Sequence, residues 1–134
     1  MTKNEIIISL QKGINPYEEY YIEDKVMEAM LGYPNPFELV APILEIIESN
    51  PDIDFGTPGD LVHFVEKFYK KGYEEELLLS LKRMPTLHTV WMLNRLINGT
   101  DQAEVYLDLL KGISENASCD KEIREEALHF LSIH

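Results

Sequence analysis

Asn35-Pro36-Phe37-Glu38-Leu39-Val40-Ala41-Pro42-Ile43-Leu44-Glu45-Ile46-Ile47 is the stretch on which the fold class turns. It opens as a helix does: a short polar side chain able to accept backbone N–H bonds, a proline whose φ suits the first helical position, and a glutamate three residues after the cap. Behind that start, Val40, Ile43, Leu44 and Ile47 recur at helical spacing and fall on one face.

The same start recurs in both directions along the chain. Asn15-Pro16-Tyr17-Glu18 has the same form, and Thr57-Pro58-Gly59-Asp60 puts aspartate in place of glutamate. Thr2-Lys3-Asn4-Glu5 and Asp101-Gln102-Ala103-Glu104 can cap a first and a later helix. Gly13, Gly32, Gly72 and Gly99 each follow an apolar-periodic segment, as left-handed residues after helices do, while Pro51 and Pro85 block continuation. Helical faces are formed by Leu61, Phe64, Val65 and Phe68, by Leu77, Leu78 and Leu81, by Val90, Leu93, Leu96 and Ile97, and by Val105, Leu109 and Ile113. Ile6-Ile7-Ile8 is the one β-branched run, and its cap and lack of a partner strand favour a helix there too. The expectation is an all-α protein of about eight short helices over 3–12, 16–31, 36–48, 58–71, 74–84, 87–98, 101–115 and 120–132. From residue 36 onward these pair as hairpins starting near 36, 74 and 101, which predicts an irregular HEAT-like stack in a single domain spanning 1–134; a compact orthogonal helix bundle is the alternative.

Composition sets the partners. The chain has 134 residues, 45% of them hydrophobic, enough for a folded core without metal or disulfides and too many for disorder. Its 24 acidic residues against 12 basic ones give a net charge of -12, which opposes nucleic acid and anionic bilayers and favours a basic partner. The lone Cys119 cannot form an internal bridge and points to a reducing compartment. With no apolar run of membrane-spanning or signal-peptide length, a cytoplasmic protein is expected.

Chemistry-bearing patterns are sparse. His63 and Glu66 stand one helical turn apart, but the further ligands a metal needs are missing, and His88, His129 and His134 lie on separate segments with no shared spacing. Asp52 and Asp54 have the opening spacing of a calcium loop without its later ligands or closing glutamate, and no Gly-Lys-Ser/Thr follows Gly56 or Gly59. These absences predict a non-enzymatic protein that uses no metal or other cofactor. The acids are unevenly spread: residues 1–50 carry -6, 51–100 carry -1 and 101–134 carry -5. Between Tyr17 and Asp24, the residues Tyr17, Glu18, Glu19, Tyr20, Tyr21, Glu23 and Asp24 crowd phenols and carboxylates together. Tyrosine gives rigid contact area with a polar tip and carboxylates meet lysine or arginine, so the segment suits a basic protein partner. The expected partner-binding residues are Glu19, Tyr20, Glu23 and Asp24, joined by Asp52 and Asp54 from the longest loop, 49–56, on a monomer or weak dimer.

Phe55-Gly56-Thr57-Pro58-Gly59-Asp60-Leu61-Val62-His63-Phe64-Val65-Glu66, taken with Pro85-Thr86-Leu87-His88-Thr89-Val90-Trp91-Met92-Leu93-Asn94-Arg95-Leu96-Ile97-Asn98, resembles the small helical immunity proteins encoded with bacterial polymorphic toxins, those of contact-dependent growth inhibition among them. The resemblance covers roughly the middle third to half of the chain. It implies a non-enzymatic inhibitor that binds one cognate toxin domain, often a nuclease, inside the producing cell. The matching residues speak for a shared core more than for the toxin contact. The competing class is a helical adaptor or scaffold that binds a peptide or protein without any toxin.

Overall fold

The first helix starts as its cap demands. The Thr2 hydroxyl accepts the Glu5 N–H at 3.1 Å and the Glu5 carboxylate accepts the Thr2 N–H at 3.1 Å. That closed box holds the Glu5 carboxyl below its ordinary range, chiefly through the Thr2 backbone bond. A computed structural model of the chain describes residues 1–17 and 19–134; among these it is all-helical, with eight α-helices and no strand. They are α1 (Lys3–Lys12), α2 (Asp24–Leu31), α3 (Val40–Ser49, after a 3-10 turn over Pro36–Leu39), α4 (Asp60–Glu66), α5 (Tyr73–Arg83), α6 (Leu87–Asn98), α7 (Glu104–Glu115) and α8 (Lys121–Ser132). No helix of the described residues is long and apolar enough to cross a membrane.

The chain divides into two compact units, 1–76 and 77–134. In the first, α1 packs on α2 and α3, and α3 on the 3-10 turn and α4. Ile6, Leu10, Met30, Leu39, Ile43, Leu44, Ile47 and Leu61 are fully buried there. In the second, α6, α7 and α8 each touch the other two. A second capping box starts α6: the Thr86 hydroxyl accepts the Thr89 N–H at 3.1 Å, and the Thr89 hydroxyl accepts the Thr86 N–H at 3.0 Å. Near the far end of α6, Asn94 Oδ1 lies 2.6 Å from His134 Nε2, which ties the residue beyond α8 to α6.

Two expected caps fail, since Asn35 makes no side-chain cap bond and its helix opens as a 3-10 turn, and Ala103 stands at the cap of α7 in place of Asp101; four further expectations are corrected. The helix expected over 16–31 begins only at Asp24. Asn15 Oδ1 takes the Tyr17 N–H at 2.9 Å in an Asx turn, and the chain then bonds elsewhere in the fold instead of to itself; Glu18, the last residue of that start, lies outside the described residues. The helix expected from 58 begins at Asp60, with Gly59 at the cap, and gives way after Glu66 to single-turn bonds. Lys70 there adopts φ 64°, its N–H held by both Glu74 carboxylate oxygens at 2.9 and 3.1 Å. Of the four glycine stops, only Gly72 has positive φ; Gly13, Gly32 and Gly99 close their helices at φ -73°, -92° and -102°. Val105 belongs to no buried face. It is 63% exposed, while Ile113 of the same expected face is buried, Leu109 is half-buried and Leu110 is buried beside them, because two steps of four residues turn the helix by about 80° between Val105 and the inward side.

Gly72 is where the first unit needs a missing side chain. Its φ of 113° excludes ordinary residues, and a Cβ there would stand 2.7 Å from Phe37 Cζ, on a ring that also meets Phe68 edge-on at 5.5 Å. Gly72→Ala is expected to lower unfolding stability by about 1–3 kcal/mol. Gly99→Ala, where a Cβ meets nothing closer than 3.7 Å and φ is negative, is expected to stay within about 0.5 kcal/mol of the wild type. Denaturant titration of the two variants checks the contrast.

Candidate functional site

Residues 19–23, which are neither helix nor strand, form a strap in the first unit, and Tyr20 anchors it. The Tyr20 N–H donates to the Asp54 carbonyl at 3.3 Å, its hydroxyl donates to the Leu10 carbonyl at 2.7 Å, and its ring packs 5.0 Å from that of buried Phe55. Partial burial pushes the Tyr20 phenol well above its usual range, since the charged phenolate would lose water without gaining a cation. Gly13 permits the fit: a Cβ there would run into the Tyr21 carbonyl oxygen and crowd the Tyr20 ring.

Burial alternates along 19–23, as it does where neighbouring side chains point to opposite sides. With Tyr20 turned inward, Tyr21 is 66% exposed, and Tyr17, ahead of the anchor, is 93% exposed. Ile22 turns back into the core at 7% exposure.

The partner of the strap is the loop after α3. Asn50 Nδ2 donates to the Ile46 carbonyl at 2.8 Å and closes the end of α3, while Asp54 Oδ1 accepts the Gly56 N–H at 2.8 Å and shapes the turn at Gly56, whose φ is 97°. Gly59 sits so close to the Phe55 carbonyl that a Cβ would collide with it.

Strap and loop enclose a cleft of about 370 Å³ whose lining includes Glu19, Tyr20, Asp54, Phe55, Thr57 and Asp60. A shallower pocket of about 280 Å³ is lined in part by Tyr17, Glu19, Asp52 and Asp54. A third, of about 350 Å³, has Lys12, Glu19, Tyr21, Glu23 and Lys25 on its walls.

The fold thus gathers four of the six expected residues, Glu19, Tyr20, Asp52 and Asp54, although the first two are distant in sequence from the last two. Glu23 shares only the 350 Å³ pocket with Glu19 and pairs with Lys25 at 3.3 Å on the surface, and Asp24, on none of these walls, begins α2 at the positive end of the helix dipole. Tyr20 belongs to the cluster as an anchor instead of as an exposed contact. Asp60 and Thr57 complete the cleft and were not among the expected residues; the signal that could have found them is the Gly56-Thr57-Pro58-Gly59 turn, which brings the start of α4 beside the loop.

Chemically the cleft presents carboxylates beside the half-buried Tyr20 ring. A lysine or arginine entering it would lay its aliphatic stem on the half-buried Tyr20 ring and bring its cationic head to Glu19, Asp54 or Asp60. Among the described residues, no three His, Cys, Asp or Glu side chains group so as to hold a metal ion. His63 is exposed on α4, and Cys119 is a free thiol in the turn between α7 and α8. No family model matches the chain, and no characterised protein or solved structure is significantly similar to it.

The Tyr20 phenol gives a pH signature. A tyrosine held protonated in the folded state contributes stability that is present below its unfolded pKa, near 10, and is lost as pH rises beyond it. Tyr20→Phe is expected to cost about 0.5–1.5 kcal/mol at neutral pH, by removing the bond to Leu10. The variant is also expected to lose less stability than the wild type between pH 9 and 11. Denaturant melts across that range check both effects.

Proposed function

We propose that this chain is an immunity protein: it binds a cognate toxin domain, a basic nuclease, and neutralises it by covering the active site, without turnover or cofactor, in the cytoplasm of the producing cell. The observation that carries the reading is the strap surface, on which Glu19, Asp54 and Asp60 line one cleft and exposed Tyr17 and Tyr21 line two further pockets that share Glu19 with it. A nuclease must hold a polyanion with lysine and arginine, and a chain of net charge -12 is drawn to such a surface from a distance. The tyrosines then supply contact area at low entropic cost, as aromatic anchors do at the centre of protein interfaces. The resemblance of the 55–66 and 85–98 stretches to toxin-associated immunity proteins supports the same reading.

Co-expression with the product of the adjoining reading frame tests it. A stable complex whose partner kills cells when expressed alone supports the reading, whereas a partner that is harmless alone supports an adaptor. Reversal of Glu19, Glu23 and Asp52 to lysine leaves the Tyr20 anchor and the Asp54 turn intact, and circular dichroism verifies the fold. The triple variant is expected to slow association by about tenfold or more at low salt, an effect that shrinks as the Debye length falls below about 8 Å. Wild-type kinetics and undiminished protection of cells by the folded variant would remove this surface from the interface.

A further inference from the structure

We propose that the pocket lined by Lys12, Tyr21 and Lys25 receives a carboxylate of the basic partner, so that the strap reads a surface on which lysines and arginines surround an acidic group. Residues 1–50 hold three lysines and no arginine, and two of the three line this pocket of about 350 Å³. Steering of a basic partner gives no reason for them, since each cation on the approach face weakens the attraction. Helix electrostatics explains only one. Lys12 lies in the last turn of α1, where a cation meets the negative end of the dipole, but Lys25 lies in the first turn of α2, where a cation is opposed.

The polar groups beside the two lysines suit an acceptor. Asn15 Oδ1 accepts the Tyr17 N–H at 2.9 Å, which leaves the Asn15 amide nitrogen to donate, and Ser9 and Tyr21 add hydroxyls. Glu19 and Glu23 stand on the same wall. Glu23 holds Lys25 at 3.3 Å with both side chains mostly exposed, a pair that yields at little cost. Glu19 is shared with the two acid-lined pockets and marks the edge toward them. Among the described residues, Lys12 makes no ion pair.

A nuclease supplies the occupant. Splitting a phosphodiester with water takes a general base or a metal ion, and carboxylates act as the one and hold the other, beside the lysines and arginines that grip the polyanion. A cover made of carboxylates alone would repel that group. The strap meets both signs: the partner's cations go to Glu19, Asp54 and Asp60, and its carboxylate goes to Lys12 and Lys25. The inference rests on the basic nuclease proposed above and names the part of its active site that the strap covers.

Two capped peptides of arginine and glycine, one with a single central glutamate and the other with glutamine in its place, test it by amide NMR of the full chain. Attraction by net charge alone favours the glutamine peptide, which is the more positive. The glutamate peptide is expected to bind more tightly by about threefold or more, with perturbations at residues 9–15 and 19–26 that the glutamine peptide lacks. Lys12→Gln with Lys25→Gln should erase that preference and strengthen binding of the glutamine peptide, because the face becomes more negative; circular dichroism verifies the fold.

Equal affinities, or tighter binding of the glutamine peptide by the wild type, would overturn the proposal; with perturbations at residues 52–60 they would leave the acid-lined cleft as the basic partner's site. A preference for glutamate that survives the double lysine variant would overturn it as well. Binding of neither peptide would overturn it and count against the basic partner itself.

Discussion

One tyrosine decides how the first unit is organised. Tyr20 joins three segments that are far apart in sequence: its hydroxyl reaches the end of α1 at Leu10, its amide reaches the loop at Asp54, and its ring lies against Phe55. A partly buried phenol with a satisfied hydroxyl contributes both hydrophobic area and a hydrogen bond, whereas a helix over the same residues would have to give up both. Without this anchor the strap would have no reason to cross the loop, and the acid-lined cleft between them would not form.

From the anchor follows the character of the surface. Burial alternates along the strap and leaves Tyr21 outward, and Tyr17 is exposed in the turn before it. Asp54 divides its groups between the two tasks: its backbone carbonyl receives the strap, while its side chain holds the turn at Gly56. Glu19, Asp52 and Asp60 make no such bond to the turn, and so remain available to set the potential of the face. The acidic chain therefore concentrates carboxylates and aromatic area at a place shaped by hydrogen bonding. Surface charge pairs such as Glu23 with Lys25 add little to that arrangement.

The sequence made the helices legible wherever local rules had no rival. Thr2 and Glu5 form the box their spacing promises, and α1 and α6 run over the expected residues, because caps and apolar periodicity agree there. The Asn15-Pro16 start carries the same local signal as a helix start and fails. Its competitors are contacts to Leu10, Asp54 and Phe55 that no local window contains. The site was legible in residue type and not in role: Glu19, Asp52 and Asp54 were expected from charge, while the anchoring use of Tyr20 and the inclusion of Asp60 depend on tertiary proximity. Val105 was misread for a smaller reason, a drift of phase along α7 that only the buried partners Leu110 and Ile113 resolve.

The central claim is that Tyr20 seats the strap on the loop, and backbone amide exchange tests it most directly. In the wild type the Tyr20 amide should be protected well beyond an unstructured rate, through its bond to Asp54. In Tyr20→Ala that protection should collapse, and with it that of the Gly56 amide, while the amides of α3 stay protected. A Tyr20 amide that exchanges at the unstructured rate in the wild type would contradict the account.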